Sequence, residues 1–369
     1  MFNLAARGPL IVHFRMKIAL VRRGYSASGG AERYLLRLAD ALRVAGHEPV
    51  LFTSPEWPAS AWQGEIVRIE ATGPRGFANA LRESRPRDRC DFVYSLERVW
   101  ECDAYRAGDG VHRAWLERRR RFEPKWRDWF RRIQLKHHEI LDLEAAVLGG
   151  SGARVIIANS HMVKREIVQY LRTPEDRIRV VYNGLPAPVR PVVSRPNVRA
   201  QLGLSEGERA VLFAGSGWER KGLRFAIEAI ERVKNAVLLV AGAGKRRNLP
   251  PSQRTRFLGE VKEMPDLMEA ADVFLLPTIY DPFSNASLEA FAAGLPVITT
   301  TANGFSEIMR PATDGEILSK PDDIGAIAYA IDRWTTPEAA KFRHDRRTFA
   351  SCFTMEENVR ATLAALTRR

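Results

Sequence analysis

The sequence is poor in cysteine: Cys90, Cys102 and Cys352 are the only ones among 369 residues. They form no CxxC pair and fit no zinc spacing. That excludes a disulfide framework and reads as reduced cytosolic thiols. No stretch approaches 18 consecutive apolar residues, which excludes a transmembrane helix. Low-complexity tracts are also missing. With 45% hydrophobic and 27% charged residues, wholesale disorder and a collagen-like chain are excluded. Neither GxGxxG nor GxxxxGK[ST] occurs.

Positive charge is plentiful, with a net charge of +13. Such a field attracts nucleic acid, anionic membrane or phosphorylated substrates, and does not choose among them. At roughly 100–200 residues per domain, the length suggests two domains. Residues 1–15 read as a loosely attached extension ahead of a strand that begins near Met16. Their apolar stretch, Leu10 to Phe14, is too short for a secretory leader.

Short apolar runs alternate with helical patterns. Strands are expected at 17–21, 49–53, 92–95, 155–159 and 179–182, with helices at 29–45 and 162–171. The second half repeats this grammar. Its strands are expected at 210–214, 237–241, 273–277 and 297–300, its helices at 223–233, 264–271, 287–293 and 324–333. Alternation of this kind predicts α/β domains with doubly wound parallel sheets. The Pro-rich stretch Leu185-Pro186-Ala187-Pro188-Val189-Arg190-Pro191 separates the two series as a semi-rigid linker. The expected domains are 16–185, with a basic helical insertion over about 112–147, and 200–345. A helical segment at 346–369 is expected to pack back on the first domain. Ligands bind beyond the carboxyl ends of parallel strands, so two facing domains put the site in the cleft between them.

Three strand-to-helix junctions could carry chemistry. The loop Gly24-Tyr25-Ser26-Ala27-Ser28-Gly29-Gly30-Ala31-Glu32 offers a helix N-terminus and glycines that let a pyrophosphate approach, or it is a plain tight turn. The segment Gly215-Ser216-Gly217-Trp218-Glu219-Arg220-Lys221-Gly222 places adjacent cations where a diphosphate leaving group could be neutralised. It also reads as a solvated basic turn. In the block from Tyr280 to Ile298, the loop acid Asp281 precedes the helix acid Glu289 by eight residues. Asp281 can meet a sugar hydroxyl and Glu289 a ribose diol. The N–H groups of Asn285, Ala286 and Ser287 between them can hold phosphate.

Between His112 and Ile140, Arg and Lys outnumber Asp and Glu by ten to four, and Trp115, Phe122, Trp126, Trp129 and Phe130 are interleaved. A solvated helix or a nucleic-acid face would fit this mixture. The reading preferred is an interfacial surface, with Arg118, Arg119, Arg120, Arg121, Trp126 and Trp129 against membrane or acceptor. No RRM, KH or zinc module accompanies it, so nucleic acid is not expected as a partner. The His137-His138-Glu139 run does not read as a metal site, because adjacent residues of a helix point to different faces.

With these motifs in order, the chain resembles glycosyltransferase family 4, whose members are retaining enzymes of the two-domain GT-B fold. The resemblance rests on Ser28 to Glu32, Asn159-Ser160, Tyr182-Asn183-Gly184, Arg220-Lys221-Gly222 and the 280–298 block, where the family's E-x7-E appears as Asp281-x7-Glu289. Within the family it is similar to the lipopolysaccharide core glucosyltransferase I group, through 215–222, the sequence Tyr105 to Arg113 and the basic insertion. The resemblance implies a nucleotide-sugar donor, UDP-glucose, and a lipid-anchored inner-core saccharide acceptor. It places the enzyme in the cytoplasm, peripheral on the inner membrane. Glu289 would hold the ribose. Gly29, Gly30, Arg220 and Lys221 would hold the diphosphate. Asp281 would orient the sugar, and Asp109 would face the acceptor as the base. No Asp-x-Asp occurs, so no metal and no cofactor are expected. Capsule, exopolysaccharide or another lipid-linked acceptor is the alternative. A non-catalytic nucleotide-sugar or nucleic-acid binder is the reading from a different class.

Overall fold

The computed structural model describes residues 15–26, 30–123, 135–150, 152–186, 191–246 and 249–367. Strands β1 (Lys17–Val21), β2 (Glu48–Thr53), β3 (Ile66–Arg68), β4 (Phe92–Ser95), β5 (Ala104–Ala107), β6 (Val155–Ala158) and β7 (Ile178–Val180) form one sheet. Its order is β3-β2-β1-β4-β5-β6-β7. Strands β8 (Arg209–Ala214), β9 (Ala236–Ala241), β10 (Thr255–Gly259), β11 (Val273–Leu276), β12 (Val297–Thr300) and β13 (Gly315–Leu318) form a second. Its order is β10-β9-β8-β11-β12-β13. Every pairing in both is parallel. The two Rossmann-like sheets expected from the alternation of elements are present.

The helices in chain order are α1 (Gly30–Val44), α2 (Gly73–Glu83), α3 (His112–Arg120), α4 (Leu135–Leu148), α5 (His161–Leu171) and α6 (Arg195–Gln201). There follow α7 (Leu223–Ile230), α8 (Met264–Ala270), α9 (Asn285–Ala292), α10 (Ile324–Trp334), α11 (Pro337–Ala340), α12 (Arg343–Ala350) and α13 (Met355–Thr367).

Central strands are covered on both faces and so read as continuous apolar runs. Every residue of β9, Ala-Val-Leu-Leu-Val-Ala, is buried. The apolar residues that helix α1 buries are Tyr34, Leu35, Leu38, Ala39 and Leu42, the spacing of one helix face. Strand β5 departs from the apolar pattern. Its Arg106 is 3% exposed, lies 4.2 Å from the Tyr34 ring centroid and donates to Asn183 Oδ1 at 2.5 Å. A charge in a central strand hides that strand from a hydrophobic-run reading, and β5 was not expected. Strands β3, β10 and β13 lie at or near sheet edges, are short or polar, and were missed for that reason.

The chain crosses between the sheets at 182–185 and returns at 353–355. The crossings are paired by Leu185 N–H to the Phe353 carbonyl at 2.9 Å and Met355 N–H to the Leu185 carbonyl at 2.8 Å. Gly184 is needed there, because a Cβ would collide with the Thr354 carbonyl. After the return, α13 packs on α1. Tyr34 Oη donates to Asn358 Oδ1 at 2.9 Å.

Candidate active site in the interdomain cleft

The carboxyl ends of both sheets face one cavity of about 320 Å³. Arg98, Gly108, Asp109, His112 and Trp115 line it from the first domain, and Arg220, Tyr280, Asp281 and Pro282 from the second. The cavity therefore brings together Asp109, Arg220 and Asp281, which lie far apart in sequence.

On the second domain, Asp281 follows β11 and is 5% exposed. Lys221 Nζ reaches Asp281 Oδ2 at 3.0 Å. Burial pushes the Asp281 carboxyl up, but Lys221, Arg220 and hydrogen bonds, one from the Phe283 N–H, outweigh it and hold it below the usual carboxylate range. Gly215, at φ +129°, makes room for the lysine stem, since a Cβ there would lie 2.8 Å from Lys221 Cε. The backbone of Arg220 is fixed by Ile279 N–H and Thr278 Oγ1, both donating to its carbonyl at 2.9 Å. Its side chain donates to the Tyr280 carbonyl at 3.1 Å.

Helix α9 begins immediately after Ser284, whose Oγ accepts from Ser287 N–H at 3.1 Å. Ser287 Oγ in turn accepts from Asn303 Nδ2 at 3.3 Å. Ser287 is thus engaged as part of the cap rather than presenting its N–H to a phosphate. Asn285 and Ala286 occupy the first helical positions, whose N–H groups have no partner inside a helix. Asn285 Oδ1 accepts from Asn183 Nδ2 at 2.6 Å, so the crossing segment touches the helix start. Glu289, one turn further, lies within electrostatic reach of Arg33 and Arg37 of α1 and of Lys221. Burial dominates and raises its carboxyl above the usual range.

On the first domain, Asp109 follows β5 with its side chain 51% exposed toward the cavity. Arg22 lies 3.6 Å away and Arg98 4.0 Å away. Burial pushes Asp109 up, and Arg22, Arg98 and Arg220 together pull it below its usual value. Arg22 also faces Glu32 at 3.2 Å and Glu97 at 3.6 Å. Glu144, 1% exposed, pairs with Arg98 at 3.3 Å and accepts from the His112 N–H at 2.6 Å, closing the start of α3. His112 Nε2 meets His137 Nδ1 at 3.0 Å. Burial first, then Arg98, pushes His112 down to about 3, so it is neutral at ordinary pH.

Arg22, Arg98, Arg33 and Arg37 were not foreseen. Arg22 follows β1 directly and Arg98 lies three residues after β4, where parallel sheets present ligand groups, and that signal could have found them. Gly30 opens α1, while Gly29, Trp126 and Trp129 lie outside the described residues.

The four arginines treated alike in the sequence separate here. Arg118 pairs with Glu166 at 2.7 Å. Arg119 pairs with Glu123 at 2.7 Å and with Glu219 of the second domain at 3.0 Å. Only Arg120 and Arg121 of the group are exposed. The start of the basic segment is therefore also a strap between domains, and Phe122 packs on Phe225 with centroids 5.6 Å apart.

The family comparisons fit this geometry. The model described as glycosyltransferase family 4 matches residues 28–187, and that described as glycosyl transferases group 1 matches 208–336. An uncharacterized glycosyltransferase of Methanocaldococcus jannaschii is 32% identical over 195 residues, 48% of this chain and 50% of the relative. The chain thus spans about half the length of that relative. The lipopolysaccharide glucosyltransferase WaaG of Escherichia coli is 22% identical over 83% of this chain and 86% of its own. A WaaG crystal structure superimposes with a TM-score of 0.80 at 20% identity, covering 95% of this chain and all of the other. Anabaena HepE in complex with UDP-glucose gives a TM-score of 0.69 at 17% identity, over 95% and 100% of the two chains. The chain belongs to glycosyltransferase family 4 and has its GT-B fold, with relatives among the lipopolysaccharide-core transferases.

Proposed function

We propose that the protein is a retaining, metal-independent hexosyltransferase that moves glucose from UDP-glucose to a heptose of the lipopolysaccharide inner core, working at the cytoplasmic face of the inner membrane. The observation that carries this reading is the cavity in which Asp109 of one domain meets Arg220 and the Lys221–Asp281 pair of the other. The names of the similar proteins, a lipopolysaccharide glucosyltransferase and a UDP-glucose complex, supply the choice of acceptor and donor.

In this reading Glu289 takes the ribose diol. Arg220, Lys221 and the helix starts at Gly30 and Asn285-Ala286 face the diphosphate. The bond from sugar C1 to the diphosphate oxygen breaks, and the negative charge that builds on that oxygen is met by two fixed cations in a poorly hydrated site. Asp281 accepts from a donor-sugar hydroxyl while Lys221 holds it ionised. The acceptor oxygen then bonds to C1, and its proton needs a base. Asp109 is held ionised by Arg22 and Arg98, so it is a weak base. It orients the acceptor hydroxyl, and the departing phosphate oxygen on the same face takes the proton. Attack from that face retains the configuration at C1.

The exposed Arg120 and Arg121, with the residues that follow them, supply the anionic-membrane contact. No helix among the described residues is long and apolar enough to cross a membrane. The test is a thermal-shift panel of UDP-, GDP- and ADP-sugars followed by a transfer assay in EDTA. UDP-glucose should give the largest shift and transfer should persist. Loss of transfer restored by Mg²⁺ or Mn²⁺ would refute metal independence.

A further inference from the structure

We infer that Tyr280 is a positioning residue that holds Asp109 in register with Asp281, so that acceptor and donor meet at one distance. The inference rests on the roles proposed above for those two carboxylates. Tyr280 belongs to the second domain by sequence and immediately precedes Asp281. Its side chain is 1% exposed and packs in the core of the first domain. The hydroxyl accepts from the Val111 N–H at 2.8 Å and donates to Glu166 Oε2 at 2.7 Å.

Each partner is itself held. Glu166 is 5% exposed, and its other oxygen takes Arg118 at 2.7 Å. The Arg118 guanidinium carbon lies 5.4 Å from the Tyr280 ring centroid. Val111 ends a tight turn closed by Gly110 N–H to the Ala107 carbonyl at 3.1 Å, and Asp109 sits inside that turn. Arg98 donates to the Gly110 carbonyl at 2.9 Å and also faces Asp109. Gly110 has φ +69°, and a Cβ there would collide with the Tyr280 hydroxyl. The same Cβ would meet the Pro282 ring at 2.6 Å, so the turn is shaped to admit the phenol and the loop that follows it. On the far side, Asp281 is tied through its N–H to the Ala302 carbonyl at 2.9 Å. A short, fully bonded path thus joins the two cleft carboxylates across the domain boundary.

A packing role and a positioning role predict different things. Phenylalanine keeps the ring in place and loses both hydrogen bonds. If Tyr280 only fills space, Tyr280→Phe lowers Tm and leaves catalysis proportionate. If it sets register, the variant separates two reactions. Hydrolysis of UDP-glucose by water needs only the donor-side groups, whereas sugar transfer also needs Asp109 in place.

The experiment measures Tm, UDP affinity by calorimetry, UDP-glucose hydrolysis and transfer for wild type, Tyr280→Phe and Gly110→Ala. Transfer kcat should fall by about tenfold to a hundredfold in both variants, the size of effect a misplacement near 1 Å produces. In Tyr280→Phe, UDP affinity and hydrolysis should stay within about twofold, a change too small for a lost transition-state contact. Glu166→Gln, which leaves an amide oxygen to accept from the phenol, should lower transfer less than Tyr280→Phe does. It carries the same comparison if either other variant fails to fold. Transfer within about twofold of wild type, or transfer and hydrolysis falling together, would overturn the inference. Wild-type protein that neither hydrolyses nor transfers would overturn the functional reading and the inference with it.

Discussion

The two walls of the cleft are built differently. The wall from the second domain is a run of contiguous motif, with Arg220-Lys221 at one junction and Asp281 to Glu289 at another. Its central carboxylate is buried and paired one to one with Lys221. The wall from the first domain has no such block. Single residues after separate strands, Arg22, Arg98 and Asp109, assemble a network in which Arg22 alone faces Glu32, Glu97 and Asp109. In the function proposed, the wall from the second domain binds one chemical group, the diphosphate sugar, and the wall from the first domain holds an acid ionised in a half-open space. A donor of fixed structure suits local sequence motifs. An acceptor that differs among relatives suits residues drawn from several loops.

This contrast can be broken most severely at Lys221. Lys221→Ala removes a cation from the developing charge and strands a buried carboxylate. We expect kcat to fall by about 10²–10³, read by initial rates at saturating donor. Near-normal turnover would show that the wall is not where the leaving group departs. Asp109→Asn keeps the shape and removes the charge that Arg22 and Arg98 hold. Transfer should fall by about 10², the cost of a misplaced acceptor, with UDP affinity in calorimetry unchanged. A parallel loss of UDP binding would mean the two walls are not separate.

The three carboxylates also titrate apart. Asp109 and Asp281 are held below the usual carboxylate range and Glu289 above it. As pH falls, Glu289 takes its proton first, so donor KM should rise while kcat is still intact. Glu289→Gln should remove that acid limb from the KM profile. The stability terms follow the same signs. Asp281, with a depressed folded value, contributes stability above its unfolded pKa and loses it as pH falls through the folded one. Glu289, with a raised value, costs stability above its unfolded pKa and relieves that cost as it protonates.

The smallest effect lies outside the cleft. Each cation near an anionic surface contributes about 1 kcal/mol and is screened by salt. Reversing Arg121 to Glu should weaken co-sedimentation with anionic vesicles at low salt and leave Tm nearly unchanged. Reversing Arg118 and Arg119 should instead lower Tm, because each has an acid partner within 3 Å. Equal effects of the two reversals on sedimentation and Tm would undo the distinction.

What the sequence made legible follows the same division. Parallel strands covered on both faces announced themselves as apolar runs, and the donor motifs sat at their ends. The block from Asp281 to Glu289 could be read because its residues are neighbours along one loop and helix. Strand β5 could not be, because Arg106 interrupts it and is stabilised by Tyr34 and Asn183, which come from distant segments. Tyr280 was only a flanking letter in the motif, since its bonds to Val111 and Glu166 span more than a hundred residues. The inward turn of Arg118 and Arg119 depends on Glu166 and Glu219, which no charge count locates.

The central claim is that the cleft transfers sugar from a uridine nucleotide without metal. Its most direct test is release of UDP from UDP-glucose by the purified protein in EDTA, with and without a heptose-terminated inner-core acceptor. The account predicts slow release alone, strong stimulation by the acceptor, and a product retaining the α-configuration. No UDP release under either condition, with tight binding of UDP-glucose intact, would contradict it and leave a nucleotide-sugar binding protein in its place.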